Sequence, residues 1–169
     1  MPKTYDVEDL VKDIETLLKA SLVAKTIEVE AAQVAAGLPV AWESPSAPAI
    51  EAEAYHQFDW GENLNHAAGV AIFLAADPQT EGHGPFSKQS FVLDVGVYLS
   101  GTANDPTADR KLLRYSKAMK QLFEENWGKI NPAFTRERVE QVGPIGFKFN
   151  VNSSDQCKIA GVTLFCTLG

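Results

Sequence analysis

Thirteen residues, Ala54 to His66 (AYHQFDWGENLNH), gather the densest chemistry in the chain: His56, Asp59, Glu62 and His66, with His83 in the next polar stretch. Histidine and carboxylate side chains of this kind can hold a divalent cation, and a zinc site needs three or four such ligands, often two of them on one rigid element. The spacing does not provide that. His56 and His66 are ten positions apart with Trp60 and Gly61 between them, which fits neither a helical H-x-x-x-H pair nor a finger. A polar loop with solvated histidines is the better reading. A small metal-dependent enzyme using His56, His66 and His83 stays as the less favoured alternative, and no cofactor is expected.

Other reactive groups lead no further. Ser90, Ser100 and Ser116 lack the G-x-S-x-G turn that exposes a nucleophile. Cys157 and Cys166 have no histidine close in sequence, and Cys166 falls on an apolar strand face. Nine positions of extended chain separate the two thiols by roughly 30 Å, so they are expected to be free, as in a reducing cytoplasm. GTANDP is not followed by G-K-[ST], and EGHGPF does not open a helix, so neither glycine stretch cradles phosphate. The acids Glu51, Glu53, Glu124 and Glu125 read as charged surface. No catalytic constellation emerges, and an enzyme is not expected. What stands out instead is a set of large aromatics in polar loops, Phe58, Trp60 and Phe86. Such residues either anchor contacts with another protein or fold back on their own core.

The elements that would position these loops follow from periodicity. From Asp6 to about Lys25, Leu10, Ile14, Leu17, Leu18 and Leu22 recur at three- and four-residue steps and predict an amphipathic helix. TIEVEAAQVAAGLP is ambiguous: Thr26 to Val29 alternate like a strand, the alanines favour helix, and Gly37 and Pro39 end the segment. Pro45 and Pro48 make the next stretch a loop or edge segment. AGVAIFLAA, Ala68 to Ala76, reads as a buried strand or a short core helix, with Ile72 and Phe73 favouring the strand. Asp77–Lys88 has the composition of a loop.

SFVLDVGVYLSG is the clearest strand. Phe91, Leu93, Val95, Val97 and Leu99 form a core face; Val92, Asp94, Gly96 and Tyr98 form a second, partly polar face free for solvent or a neighbouring subunit. A helix follows, with Asp105 expected as N-cap, Pro106 in the first turn and Gly128 as its stop. Its inner stripe is Leu112, Ser116, Met119, Phe123 and Trp127, widened by Leu113 and Leu122, and Lys111, Arg114, Lys117 and Lys120 leave a basic outer face. IGFKFNVN and KIAGVTLFCTLG read as two more strands around a turn at Asn152–Gln156. The economical solution is a single α+β domain over 1–169: an antiparallel four- to five-stranded sheet with two main helices packed on one face.

The 169 residues are 45% hydrophobic and 22% charged, with a net charge of −7. That balance suits a globular protein and argues against sequence-specific nucleic-acid binding, which needs a basic face. No run reaches the ~18 apolar residues of a membrane span, and the opening MPKTYDVEDLVKD lacks a leader's apolar core. Neither a membrane partner nor export is expected.

The layout resembles that of phage tail-terminator (tail-completion, neck) proteins. The resemblance rests on the opening helix VEDLVKDIETLL, the alternating strand SFVLDVGVYLSG, the helix DPTADRKLLRYSKAMKQLFEEN and the closing strand KIAGVTLFCTLG. It covers most of the chain through element order and texture, without a short signature motif. It implies a structural virion protein, made in the host cytoplasm, that forms a ring with itself, typically a hexamer. That ring caps the tail tube protein and meets the head connector or head-closure protein. Under this resemblance Phe58, Trp60, Phe86, Asp94 and Tyr98 are the candidate assembly contacts. Another head–tail neck or minor tail protein is the alternative.

Overall fold

The computed structural model describes residues 7–43, 49–57, 66–82, 88–147 and 156–168. Helix α1 spans Val7–Ala35, ten residues beyond the expected end. The alanines decide the ambiguous segment. Thr26, which a strand reading would favour, is buried in the helix with its hydroxyl donating to the Leu22 carbonyl at 2.8 Å. The helix ends as Gly37 and Pro39 suggest. Gly37 takes φ +90°, and the amides of Leu38 and Gly37 return to the carbonyls of Gln33 and Val34. This is the Schellman closure, which satisfies the last carbonyls of a helix and needs a residue at ease with positive φ.

Three strands precede the second helix: β1 (Tyr55–Gln57), β2 (Ala68–Glu81) and β3 (Lys88–Ser100). The expected loop Asp77–Lys88 is therefore strand at both of its ends, over 77–81 and at Lys88, with 83–87 outside the described residues. β2 runs on to Glu81 past two register irregularities, at Leu74/Ala76 and Ala76/Gln79, which let the chain carry Pro78 without a regular ladder. Helix α2 spans Ala108–Ile130. It starts later than expected, because Asp105 uses its carboxylate one step early, accepting from the Thr107 amide at 2.8 Å and hydroxyl at 2.6 Å. Those bonds, with Lys111, hold the Asp105 carboxyl below its ordinary range. Gly128 does not stop the helix. It lies exposed within it, and a Cβ there would meet nothing within 4 Å. Gly128→Ala should therefore raise the unfolding free energy by roughly 0.5–1 kcal/mol, read from a denaturant midpoint.

β4 (Phe134–Phe147) and β5 (Cys157–Leu168) complete the described elements. The expected strand IGFKFNVN is displaced: the ladder begins eleven residues before Ile145 and covers only its first three residues, the rest lying outside the described residues. The five described strands form one sheet in the order β1-β2-β3-β5-β4. α2 carries the chain across the place of β5, and β5 then returns between β3 and β4, antiparallel to both. The β1–β2 pairing is parallel. The sheet is thus mixed, mostly antiparallel and not closed, and with seven strands in all it exceeds the expected four to five.

One core joins α1, α2 and one sheet face. It contains Leu10, Ile14, Leu18 and Leu22 of α1, Leu112, Met119 and Phe123 of α2, and Leu93, Val95, Val162 and Leu164 of the sheet. Each fully buried aliphatic or aromatic side chain contributes about 1.5–3 kcal/mol. Two helix assignments change. Leu113 is 46% exposed rather than part of the stripe, and Arg114 is buried rather than on the basic outer face. The Arg114 guanidinium donates to Glu30 at 2.8 Å and to the Pro39 carbonyl at 3.1 Å. Glu30 in turn accepts the Ala41 amide at 2.6 Å. This knot ties α1, α2 and the turn after α1 together. Both cysteines are buried thiols, and Cys157 Sγ donates to the Ser100 hydroxyl at 3.7 Å.

Candidate functional site

Among the described residues the second face of the sheet carries no helix, and strand register shows how it is built. Ala71 pairs with Gly96, Gly96 with Gly161, and Gly161 with Val142, while His56 pairs with Ala71. Five strands thus contribute one transverse row in which the three middle residues have almost no side chain. The rows on either side are fuller. One is Phe73–Asp94–Thr163–Glu140; the other is Gly69–Tyr98–Ile159–Ile145. Small residues between large ones leave a trench across the sheet. The open space it encloses, bulk solvent at its mouth included, is about 390 Å³; its lining is almost wholly apolar, with Phe73, Ile159, Ile145 and Val142 as walls and Asp94 as the one charged group among the described residues.

The glycines are needed. A Cβ on Gly96 would stand 2.8 Å from Ile159, and one on Gly161 would overlap the Val95 carbonyl oxygen. The walls reach solvent on the β4 side, where Ile145 is 58% and Val142 37% exposed. Asp94 accepts the Thr163 hydroxyl at 2.5 Å and has no cation partner among the described residues. A carboxylate beside apolar walls is poorly solvated, and a cation supplied from outside would stabilise it.

At the β1 end lie the polar groups that the sequence first brought forward. His56 Nε2 and the Tyr98 hydroxyl are 3.1 Å apart. His66 Nδ1 faces Glu51 at 3.1 Å, and the two imidazoles are 6.4 Å apart between centroids. Burial pushes the Tyr98 phenol up to about 12, so it stays protonated as a hydrogen-bond partner for His56 at neutral pH. Among the described residues no three histidine, cysteine or carboxylate groups converge on a point that could hold a metal ion. His83, Asp59 and Glu62 lie outside the described residues.

Of the expected assembly contacts, Asp94 sits in the trench wall, half-buried and facing outward. Tyr98 is on the same face but fully buried; its ring covers Gly69, so it shapes the wall and offers no surface of its own. Phe58, Trp60 and Phe86 lie outside the described residues. Sequence reasoning missed Val142, Ile145 and Ile159. The available signal was Gly96 and Gly161, each a residue of poor strand propensity at the centre of an otherwise strongly apolar strand.

A second exposed apolar patch lies on the opposite layer. It comprises Val34 at the end of α1, Leu38 and Val40 in the turn that follows, and Leu113 on α2. Arg110, one turn before Leu113, donates to the Val40 carbonyl at 2.9 Å, which brings α2 and the turn side by side. No protein-family model matches the chain, and no curated protein matches its sequence.

Proposed function

We propose that this chain is a structural virion protein that closes a phage tail tube as a ring and joins it to the head connector, without catalytic activity. The observation that carries this reading is the pair of unlike apolar patches on opposite layers, Val142 and Ile145 on the helix-free sheet face and Leu38, Val40 and Leu113 on the helix layer. A two-fold dimer needs one self-complementary surface. Two different surfaces suit head-to-tail association, which closes into a ring when the rotation per copy divides a full turn. The resemblance in layout sets the expected number at six. A net charge of −7 adds a physical advantage, since a predominantly acidic lumen would repel DNA in transit rather than retain it.

Native mass spectrometry and negative-stain microscopy of the concentrated chain, alone and with tail tubes, test the proposal. Closed rings of one stoichiometry, seated on tube ends, are expected. A chain that is monomeric alone and absent from tube ends defeats it.

A further inference from the structure

The trench on the sheet face and the outer ridge of α2 complement one another in apolar character and charge. Leu113 and Lys117 are four residues apart on a helix, so they share its outward side with about 6 Å between them along the axis. Leu113 is 46% exposed, and Lys117 has no acidic partner among the described residues. In the trench, Gly96 and Asp94 are two residues apart on β3, a step of roughly 6.6–6.8 Å along the strand. An apolar side chain over Gly96 therefore carries a cation four helical positions away to the level of Asp94.

We propose that, in the ring, the α2 ridge of one copy crosses the sheet trench of the next along the direction of β3, with Leu113 in the hollow lined by Gly96 and Gly161 and the Lys117 ammonium on the Asp94 carboxylate in the wall beside it. The inference rests on the ring reading and deepens it by assigning the two mating surfaces. Charge complementarity selects a second copy as the occupant. The trench presents an acid among apolar walls, and α2 presents a lysine with no acidic partner among the described residues beside an exposed leucine. Seating removes Leu113, Val142 and Ile145 from water together. It also gives Asp94 a charge-assisted partner in addition to Thr163.

The test uses the full chain with Leu113→Cys and Val142→Cys. Cys157 and Cys166 are buried, so the introduced thiols are the accessible ones. Mild oxidation should give a ladder of disulfide-linked oligomers on a denaturing gel, ending at the ring size, whereas either single-cysteine variant gives none. Native mass spectrometry of the unoxidised chain is run in parallel. Rings without a ladder overturn the pairing and leave the ring reading standing; neither rings nor ladder removes both. Linked dimers from a single-cysteine variant would mean two-fold pairing and also remove both. Asp94→Lys and Lys117→Asp should each weaken association about tenfold or more, and the double variant should recover most of it. Lys117→Asp alters a partly exposed helix position, and circular dichroism confirms its folding. Unchanged association in that variant also overturns the pairing.

Discussion

Gly161→Ala should leave the protein unfolded or at least about 3 kcal/mol less stable, the upper end of the cost of overpacking. The added Cβ would overlap the Val95 carbonyl oxygen and stand 2.5 Å from the Gly96 Cα. Both obstacles are backbone, so no side chain can rotate away. Relief requires β3 and β5 to separate, and these strands are joined by a twelve-pair ladder from Gln89–Leu168 to Ser100–Cys157 at the interior of the sheet. Gly146→Ala is the control. It also lies in the sheet, on β4, but a Cβ there meets nothing within 4 Å, and its denaturation midpoint should be close to that of the parent chain. If the two variants unfold at similar denaturant concentrations, the close approach of β3 and β5 is not what the structure describes. The test bears on the proposed site as well, because the same approach that excludes a Cβ makes the trench floor.

The contrast between these glycines explains how far the sequence was legible. Single-element periodicity identified the α1 stripe, the core face of β3 and the closing strand, because each depends only on residues near in sequence meeting one apolar layer. The ends of elements were less legible. Asp105 and Gly128 carry the right chemistry for a cap and a stop, yet the Thr107 bonds displace the first. The second is simply tolerated in a helix that Ile130 continues into the core. β4 was hidden because its first half carries the charged run Arg136–Glu137–Arg138 in place of an apolar alternation, and because it contains Gly143–Pro144, which read locally as a break. Its pairing with β5 is supplied by the fold. The trench was not legible at all as a site. Its floor comes from Gly96 and Gly161, its walls from β2, β3, β4 and β5, and only the register that aligns them makes a row of small residues into a groove. The loop aromatics drew attention by type, whereas the described exposed apolar surface lies on α1, the turn after it, α2 and β4.

Arg114→Met carries the other large expected effect, a loss of about 3–5 kcal/mol. Arg114 and Glu30 have side chains only 8% and 17% exposed, so deleting the cation leaves a carboxylate largely out of water with the Ala41 amide as its remaining partner. The Pro39 carbonyl loses its donor at the same time. Glu30→Gln combined with Arg114→Met should recover much of the loss. An uncharged amide is far cheaper to bury than an unpaired carboxylate, and replacing both charges commonly costs less than removing one. A double variant no more stable than Arg114→Met alone would show that the cost lies in the packing of the arginine stem instead. The knot also fixes the turn that presents Leu38 and Val40, so Arg114→Met should weaken both folding and assembly. Lys117→Asp, on the same helix but partly exposed and outside the knot, should weaken assembly alone. Measuring thermal stability and association for both variants therefore separates a residue that builds the helix-layer patch from one that makes contact through it.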